Sequence, residues 1–530
     1  MHIFDVLGLV IVLIYIIAAV VCAVATMTPR RMWQFAVLAA ILSLFFSVLG
    51  VAFHAWGGSS SADYVCFDAA GTTMTTLVTF LGLVIVRFSQ RYLEGEQRQH
   101  VYAASLLATL ATVVTILLSN DLGLLIAAWI IGSLTLHRLL VFYGDRHDAI
   151  FAAHKMFLAS RLAEVCLIAS AALLHFQFGT LEINEISQHI AAMSVPAFTL
   201  QAAAVLLALG VAFKSAQLPM HGWLIQVMEA PTPVSALLHA GVVNLGGFVL
   251  IRLHGLLDAS TTAQALLVIL GGTTALMSGL VMLTRVSIKV RLAWSTCAQM
   301  GFLLLECGLG LYELAMAHLV GHSLYKAHAF LHSGTTVRDV LERRLLNAHS
   351  AHVTGSRRWM PSVLAVLFLT AVVAAMSYLV TYVDDTPALP LPWIVIVALA
   401  FAPVLWAGNV PGARGWMRGV ALAFVMIALY MVWHVVLHGF GLTDRPTYSV
   451  GLSLLALAFM LVLYIVQVFL ALGVASRWMR VLRRHAYDGF DLDEWATRLT
   501  FRIWPVALPA TARMKPAAAI RIEPMGREKS

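Results

Sequence analysis

The feature that most constrains this chain is a succession of apolar runs, each about 20 residues long, which is the length an α-helix needs to cross a bilayer. About fifteen can be traced: 4–26, 32–55, 70–90, 101–118, 120–142, 155–175, 198–217, 233–251, 263–284, 290–311, 313–334, 361–382, 391–409, 415–438 and 449–476. Backbone polar groups in hydrocarbon are satisfied only inside a helix or a closed barrel, and runs of this length are helical. The expected fold class is therefore all-α, a polytopic membrane protein of about 13–15 transmembrane helices. Composition agrees: 61% of the 530 residues are hydrophobic, 11% are charged, and the mean hydropathy is +0.87. A soluble domain carries about 25% charged residues. The net charge of +8 does not point to nucleic acid, because the Lys and Arg sit between apolar runs and form no patch. The run Ile3 to Thr26 has no basic segment before it and exceeds a signal-peptide core, which predicts a retained helix. Cys22, Cys66, Cys166, Cys297 and Cys307 show no CxxC spacing and are expected as small buried thiols, not metal ligands or disulfide partners.

The basic residues orient the spans. Loops after odd-numbered spans, with the flanking helix ends, hold about 22 Lys or Arg. Among them are Arg30 and Arg31, Arg91 and Arg98, Arg285, Lys289 and Arg291, Arg338, Arg343 and Arg344, and Arg477, Arg480, Arg483 and Arg484. Loops after even-numbered spans hold only Arg252 and Arg445, together with the acidic pairs Asp63/Asp68, Glu182/Glu185 and Asp384/Asp385. The positive-inside rule then predicts an N-terminus outside and a C-terminus in the cytoplasm. Residues 1–476 read as a transmembrane domain and 477–530 as a cytoplasmic amphipathic tail. The tail stretch HAYDGFDLDEWATRLTFRIWP fits a dock for a cytoplasmic partner, and equally a helix lying on anionic lipid.

Ionisable residues within apolar spans cost about 2.5–3.5 kcal/mol each on insertion scales and mark candidate pathways. Three sets stand out. Arg161 and Glu164 are three apart on one helix face and can pair, either as a structural ion pair or so that Glu164 tunes a neighbouring group. Lys214 opens FKSAQLPMHGWLIQVMEAPTPVSALLHA. The ring of Pro219 clashes with the carbonyl of Ser215, so the helix should break just after the lysine, near Lys214–Pro219. Freed backbone at membrane depth needs protein partners or water. Burial makes an ammonium give up its proton more readily, so a lysine there can load and release protons near neutral pH. Snorkelling to the cytoplasmic edge also fits Lys214. His221, Glu229 and His239 follow, the first two also compatible with simple interfacial positions. The third set is AMAHLVGHSLYKAHAFLHSG, where His318, His322 and Lys326 recur every four residues and stack along one face over about 12 Å. Imidazole titrates nearest neutral pH, so the row suits proton relay, with His328 and His332 as a second pair. A zinc site and core histidines without a role are the competing readings of these imidazoles.

KSAQLPMHGWLIQVMEAPTPVSALLHA, SIKVRLAWSTCAQMGF and HLVGHSLYKAHAFLHSG resemble the motifs of the proton-translocating antiporter-like family, which comprises the large membrane subunits of respiratory complex I and the Mrp-type antiporters. FDAAGTTMTTLV and VRFSQRYLEGE are similar to the family's third span and its cytoplasmic end. The resemblance covers residues 60–340 and implies an antiporter-like fold. It matches Lys214 to the family's central lysine in the broken helix, His239 to the histidine of the next helix, and His318, His322 and Lys326 to the linking row. Lys155, Arg161 and Glu164 match the sixth-helix segment, and Pro219, His221, Glu229 and His328 fall in the same motifs as supporting residues. Two departures stand out. Where the family places a Glu after Trp, Trp129 is followed by Ile130, and 361–382 holds no ionisable residue except Tyr378 and Tyr382, where the family has an exit lysine or glutamate. Glu164 is the candidate replacement for the missing acid.

These departures, the length and DGFDLDEWATRLTFRIWP together look most like the membrane subunit of the bacterial two-protein inorganic carbon accumulation systems. That resemblance implies an inner-membrane protein with no enzymatic activity or cofactor of its own. It would conduct H+ (or Na+) to drive CO2 hydration to bicarbonate by a large cytoplasmic zinc partner with a carbonic-anhydrase-like site. An Mrp-type or complex-I-like proton- or sodium-translocating subunit is the second expectation, and a non-conducting membrane anchor the third.

Overall fold

The structure is a computed structural model that describes residues 3–55, 60–61, 65–144, 146–193, 195–335, 359–384, 388–406, 413–438, 449–471 and 476–505. Asp63, the basic cluster Arg338, Arg343 and Arg344, Asp385, Arg445 and the tail beyond residue 505 lie outside these residues. Every apolar run becomes a helix. In chain order the long helices are α1 (Ile3–Val24), α2 (Pro29–Ala55), α3 (Ala69–Tyr92), α4 (Gln99–Leu118), α5 (Leu122–Leu140) and α6 (His147–Phe178). Next come α7 (Phe198–Lys214), α8 (Thr232–Arg252), α9 (Thr261–Met282), α10 (Ile288–Gly308) and α11 (Tyr312–His332). They are followed by α12 (Trp359–Asp384), α13 (Leu391–Trp406), α14 (Ala413–His438) and α15 (Val450–Ala471). Two amphipathic helices, α16 (Arg477–Asp488) and α17 (Glu494–Ile503), complete the described chain. Among the described residues eleven helices are long and apolar enough to cross a membrane, and α7 and α13 are shorter apolar ones. The ionisable side chains Lys289, Arg291 and Glu306 in α10, and Glu313 and Lys326 in α11, set those two apart. Among the described residues the only strands are Ser60–Ser61 and Cys66–Phe67, paired antiparallel in the loop before α3.

Polar residues between the runs fix where helices begin. Asp68 accepts from the Gly71 amide at 2.7 Å, Asp121 from Leu124 at 2.7 Å and Ser260 from Ala263 at 3.3 Å, each satisfying one of the amides a helix start leaves unpaired. The outward faces carry large apolar side chains such as Ile17, Val20, Phe45, Val165, Leu367 and Phe424, a surface that lipid tails would cover. The basic end of the bundle collects Arg91, Arg138, Arg146, Arg285 and Lys289 around helix ends. The opposite end is tied by polar contacts: Asn120 to Glu182 at 2.9 Å, Arg252 to Asp68 at 3.4 Å and Tyr312 to Asp258 at 2.8 Å.

The expected break is present. Helix α7 stops at Lys214, Ala216 takes a left-handed conformation (φ 51°), and the chain resumes helix only at Gly222–Gln226. Backbone freed by the break finds protein partners, as membrane depth requires: the Leu218 amide donates to Thr274 Oγ1 at 3.2 Å and Gln217 Nε2 donates to the Ser215 carbonyl at 2.9 Å. A second interruption was not anticipated. Helix α8 gives way to a 3-10 turn, Val242–Asn244, directly after His239 and Ala240. Gly246 and Gly247 follow, and a Cβ at either would overlap Ser215 Oγ or Leu303, so their bare backbone lets α8 press between α7 and α10.

The tail does something beyond the two expected arrangements. Its described part folds back on the basic end of its own chain. Phe501 stacks on Phe151 at 4.3 Å between ring centres, Trp504 stacks on His154 at 3.9 Å, and Thr284 reaches the Ala486 carbonyl at 3.4 Å.

Candidate functional site

The centre of the site is Glu164 on α6. Its Oε1 accepts from three donors: Ser133 Oγ on α5 at 2.9 Å, Arg161 Nη2 one turn back at 2.9 Å, and Lys214 Nζ at the end of α7 at 3.0 Å. Both Glu164 and Lys214 are buried, and the Lys214 ammonium also lies 5.6 Å from the ring centre of Trp129. Ile130, not an acid, follows Trp129 on α5, and the carboxylate beside Lys214 is that of Glu164 on α6. The helix ends at Lys214 itself, so the ammonium meets Glu164 at the edge of the break.

From there buried ionisable groups continue on α8 and α11. His239 is fully enclosed, its ring stacked 4.3 Å from that of Phe330, and neither ring nitrogen has a hydrogen-bond partner among the described residues. Lys326, one turn before Phe330, is buried and donates to the Leu292 carbonyl at 3.0 Å and to Ser295 Oγ, both on α10. His322 sits one turn further, its ring 5.9 Å from that of His318. The row His318–His322–Lys326 therefore does lie along one inward face of α11.

The row continues into residues that sequence reasoning missed. His318 Nδ1 lies 2.7 Å from Glu306 Oε2, a buried carboxylate on α10. Glu313, buried at the start of α11, faces His434 at 3.5 Å and His438 at 3.0 Å, both on α14. Glu306, Glu313 and His438 all belong to helix ends at the side away from the basic end. A single acid near a helix terminus reads as interfacial from sequence. The only available signal was a carboxylate near the end of an otherwise apolar run, with two histidines four apart at the end of another.

Three supporting residues are not brought to this line. Glu229 is half exposed and faces Arg146 at 3.8 Å, with Arg146 also donating to its carbonyl at 3.0 Å. The short helix Gly222–Gln226 turns this stretch along the basic end, not through the bundle. His328 is exposed and stacks on His332 at 5.4 Å, because it lies on the outer side of α11 from Lys326. Lys155 is buried but pairs with Asp493 of the tail at 2.6 Å, not with Glu164. His221 is buried beside Trp294 at 5.0 Å, its Nδ1 3.4 Å from the carbonyl of Pro219, just past the break.

Chemically, the site is a series of bases and acids that can each hold one proton, set in apolar surroundings.

The family model described as NADH:quinone oxidoreductase/Mrp antiporter, TM, matches residues 119–381. The chain is 42% identical over 495 residues to the probable inorganic carbon transporter subunit DabB of Hydrogenovibrio crunogenus, covering 92% of each protein. It is 40% identical to the probable subunit DabB2 of Halothiobacillus neapolitanus, over 86% of this chain and 83% of that one. Likeness to NADH-quinone oxidoreductase subunit L of Pseudomonas aeruginosa is 34% over 284 residues, and the chain spans only 46% of that protein's length. A chain in the structure of the Mrp complex from a Dietzia species superposes with a TM-score of 0.59 at 21% identity, over 94% of this chain and 61% of that one, which shows the shared fold. The chain belongs to the DabB family of inorganic carbon transporter subunits, within the antiporter-like membrane proteins.

Proposed function

We propose that this chain conducts protons across the membrane and that the flow drives inorganic carbon accumulation by a cytoplasmic partner. The observation that carries the reading is the buried series Glu313 with His434 and His438, Glu306 with His318, then His322, Lys326, His239 and Lys214 with Glu164. By the positive-inside rule the basic end, with the C-terminus, faces the cytoplasm and the N-terminus lies outside the bacterial inner membrane. Protons running down their gradient would enter at Glu313, pass along α11 to Lys326 and His239, and leave past Lys214. Glu306, Glu313 and the two α14 histidines then supply the outer half-channel that the uncharged 361–382 segment does not.

Protons are favoured over Na+ by the chemistry of the line. Hard cations seek several oxygen ligands, whereas this series alternates carboxylates with imidazoles and ammonium groups. Those are proton carriers, and when charged they repel a metal cation. The partner in this reading is a large zinc-containing protein of the DabA type with a carbonic-anhydrase-like site. It carries out the hydration of CO2, and this chain has no cofactor of its own.

Substituting Lys214 or Lys326 by Ala should abolish carbon accumulation while membrane insertion and partner binding persist, and full activity in both variants would sink the reading. Purification from the native membrane separates the alternatives. A soluble zinc protein should accompany the chain, whereas a set of small hydrophobic subunits would mean an Mrp-like or complex-I-like assembly. Carbon uptake indifferent to an uncoupler would leave only a membrane anchor.

A further inference from the structure

The C-terminal tail meets the basic end of the bundle at one residue with unusual surroundings. Lys155 on α6 is a buried cation, its side chain 3% exposed. Its ammonium donates to Asp493 Oδ2 at 2.6 Å and to Thr497 Oγ1 at 2.6 Å, both in the tail. Glu164, the acid further along α6, is nine residues away, about 13 Å at the helical rise, and already holds Arg161 and Lys214. A buried ammonium without a counter-charge is strongly destabilising. Among the described residues the bundle supplies no acid to Lys155, and the tail does.

Asp493 is also fitted against the broken helix. It sits on the backbone of Gly222, where a Cβ would overlap its carboxylate, and Gln226 Nε2 donates to Oδ2 at 3.4 Å. Asp493 Oδ1 is buried with no hydrogen-bond partner among the described residues, and so is Nε2 of the neighbouring His221. Beside Asp493 lies a cavity of about 200 Å³, mostly apolar, with Lys155, Asp493 and Thr500 as its polar lining. An orphaned carboxylate oxygen at a cavity of that size, with the orphaned His221 Nε2 nearby, is a setting for bridging water. The Asp493 side chain remains 28% exposed, so it meets bulk water on one side and this cavity on the other.

We propose that Asp493 is the proton-exchange carboxylate at the cytoplasmic mouth of the pathway, held in place by Lys155, which makes the tail part of the conduit and not a mere tether. A proton leaving Lys214 crosses the broken segment through water and His221, is taken by the Asp493 carboxylate, and is released to the cytoplasm, which regenerates the carboxylate. This rests on the proton-conducting reading above.

The test uses the complex of the full chain with its partner in liposomes containing a pH-sensitive dye. Asp493→Asn should lower proton flux at least tenfold, and added formate, a small diffusible acid, should restore a large part of it. Lys155→Met/Asp493→Asn keeps a neutral contact between α6 and the tail, and its flux should stay low and likewise recover with formate. Wild-type flux in either variant, or low flux that formate does not move, would overturn the proposal while leaving the conduction reading standing. A wild-type complex that passes no protons would overturn both.

Discussion

Glu164 and Lys214 offer the most quantitative prediction. At 3.0 Å and an effective dielectric of about 20, two unit charges attract by about 5 kcal/mol, most of it offset by the cost of taking both from water. The pair is deeply buried, with Lys214 and Glu164 side chains 7% and 5% exposed, while Arg161 on the same oxygen is 34% exposed. The two halves are therefore unequal. Glu164→Gln strips the counter-charge from the buried lysine and should cost about 3–5 kcal/mol. Lys214→Met leaves Glu164 still bonded to Arg161 and Ser133, so it loses one charge-assisted hydrogen bond, about 1.5–3 kcal/mol. The double variant has no buried unpaired cation on α7 and should be more stable than Glu164→Gln alone, with a coupling of at least about 1–2 kcal/mol. Unfolding in mixed detergent micelles, followed by tryptophan emission, measures all three, and Trp129 beside Lys214 reports locally. Strictly additive costs, or a double variant less stable than Glu164→Gln, would refute the arrangement.

Three further outcomes are expected. Glu313→Gln removes the acid that faces His434 and His438 and should cut proton flux at least tenfold in the liposome assay, with the complex still assembled. Gly301→Ala places a Cβ 2.6 Å from both the Ala275 amide nitrogen and the Gly271 carbonyl oxygen, so α9 and α10 must separate, at about 1–3 kcal/mol in the same unfolding measurement. Asp258, in the short helix His254–Asp258 after α8, keeps an exposed edge, but partial desolvation of its carboxyl by the surrounding protein raises it above the usual carboxylate range despite the Tyr312 and Gln264 donors. The folded state then binds that proton more tightly than the unfolded one. The stabilisation is full below the unfolded value and is lost as pH rises through the folded one. Asp258→Asn should consequently stabilise the protein at neutral pH and lose that advantage on acidification, read as the difference in unfolding midpoint across pH.

Local rules carried much of this structure. Apolar runs needed only length to be placed as helices, and the break after Lys214 followed from the ring of Pro219, a constraint acting four residues back. The row on α11 followed from helical periodicity, which sets His318, His322 and Lys326 on one face and turns His328 away. What escaped depends on contacts between distant segments. His438 meets Glu313 across 125 residues, and Asp493 meets Lys155 across 338, and neither separation leaves a mark in local composition. The turn at Gly241 escaped for a different reason, since nothing in the local sequence distinguishes that glycine from others in apolar helices. Glu229 shows the converse. It shares a motif with Lys214, but the intervening short helix directs it to the surface beside Arg146.

The central claim is that protons cross through the buried series, and the most direct measurement is dye-reported proton entry into liposomes bearing the complex of this chain with its partner under an imposed potential. The account predicts flux that is abolished by Lys326→Met, with complex assembly intact, because that buried ammonium lies on α11 between His322 and Phe330, the ring on which His239 stacks. Undiminished flux in Lys326→Met, or none in the wild-type complex, would contradict it.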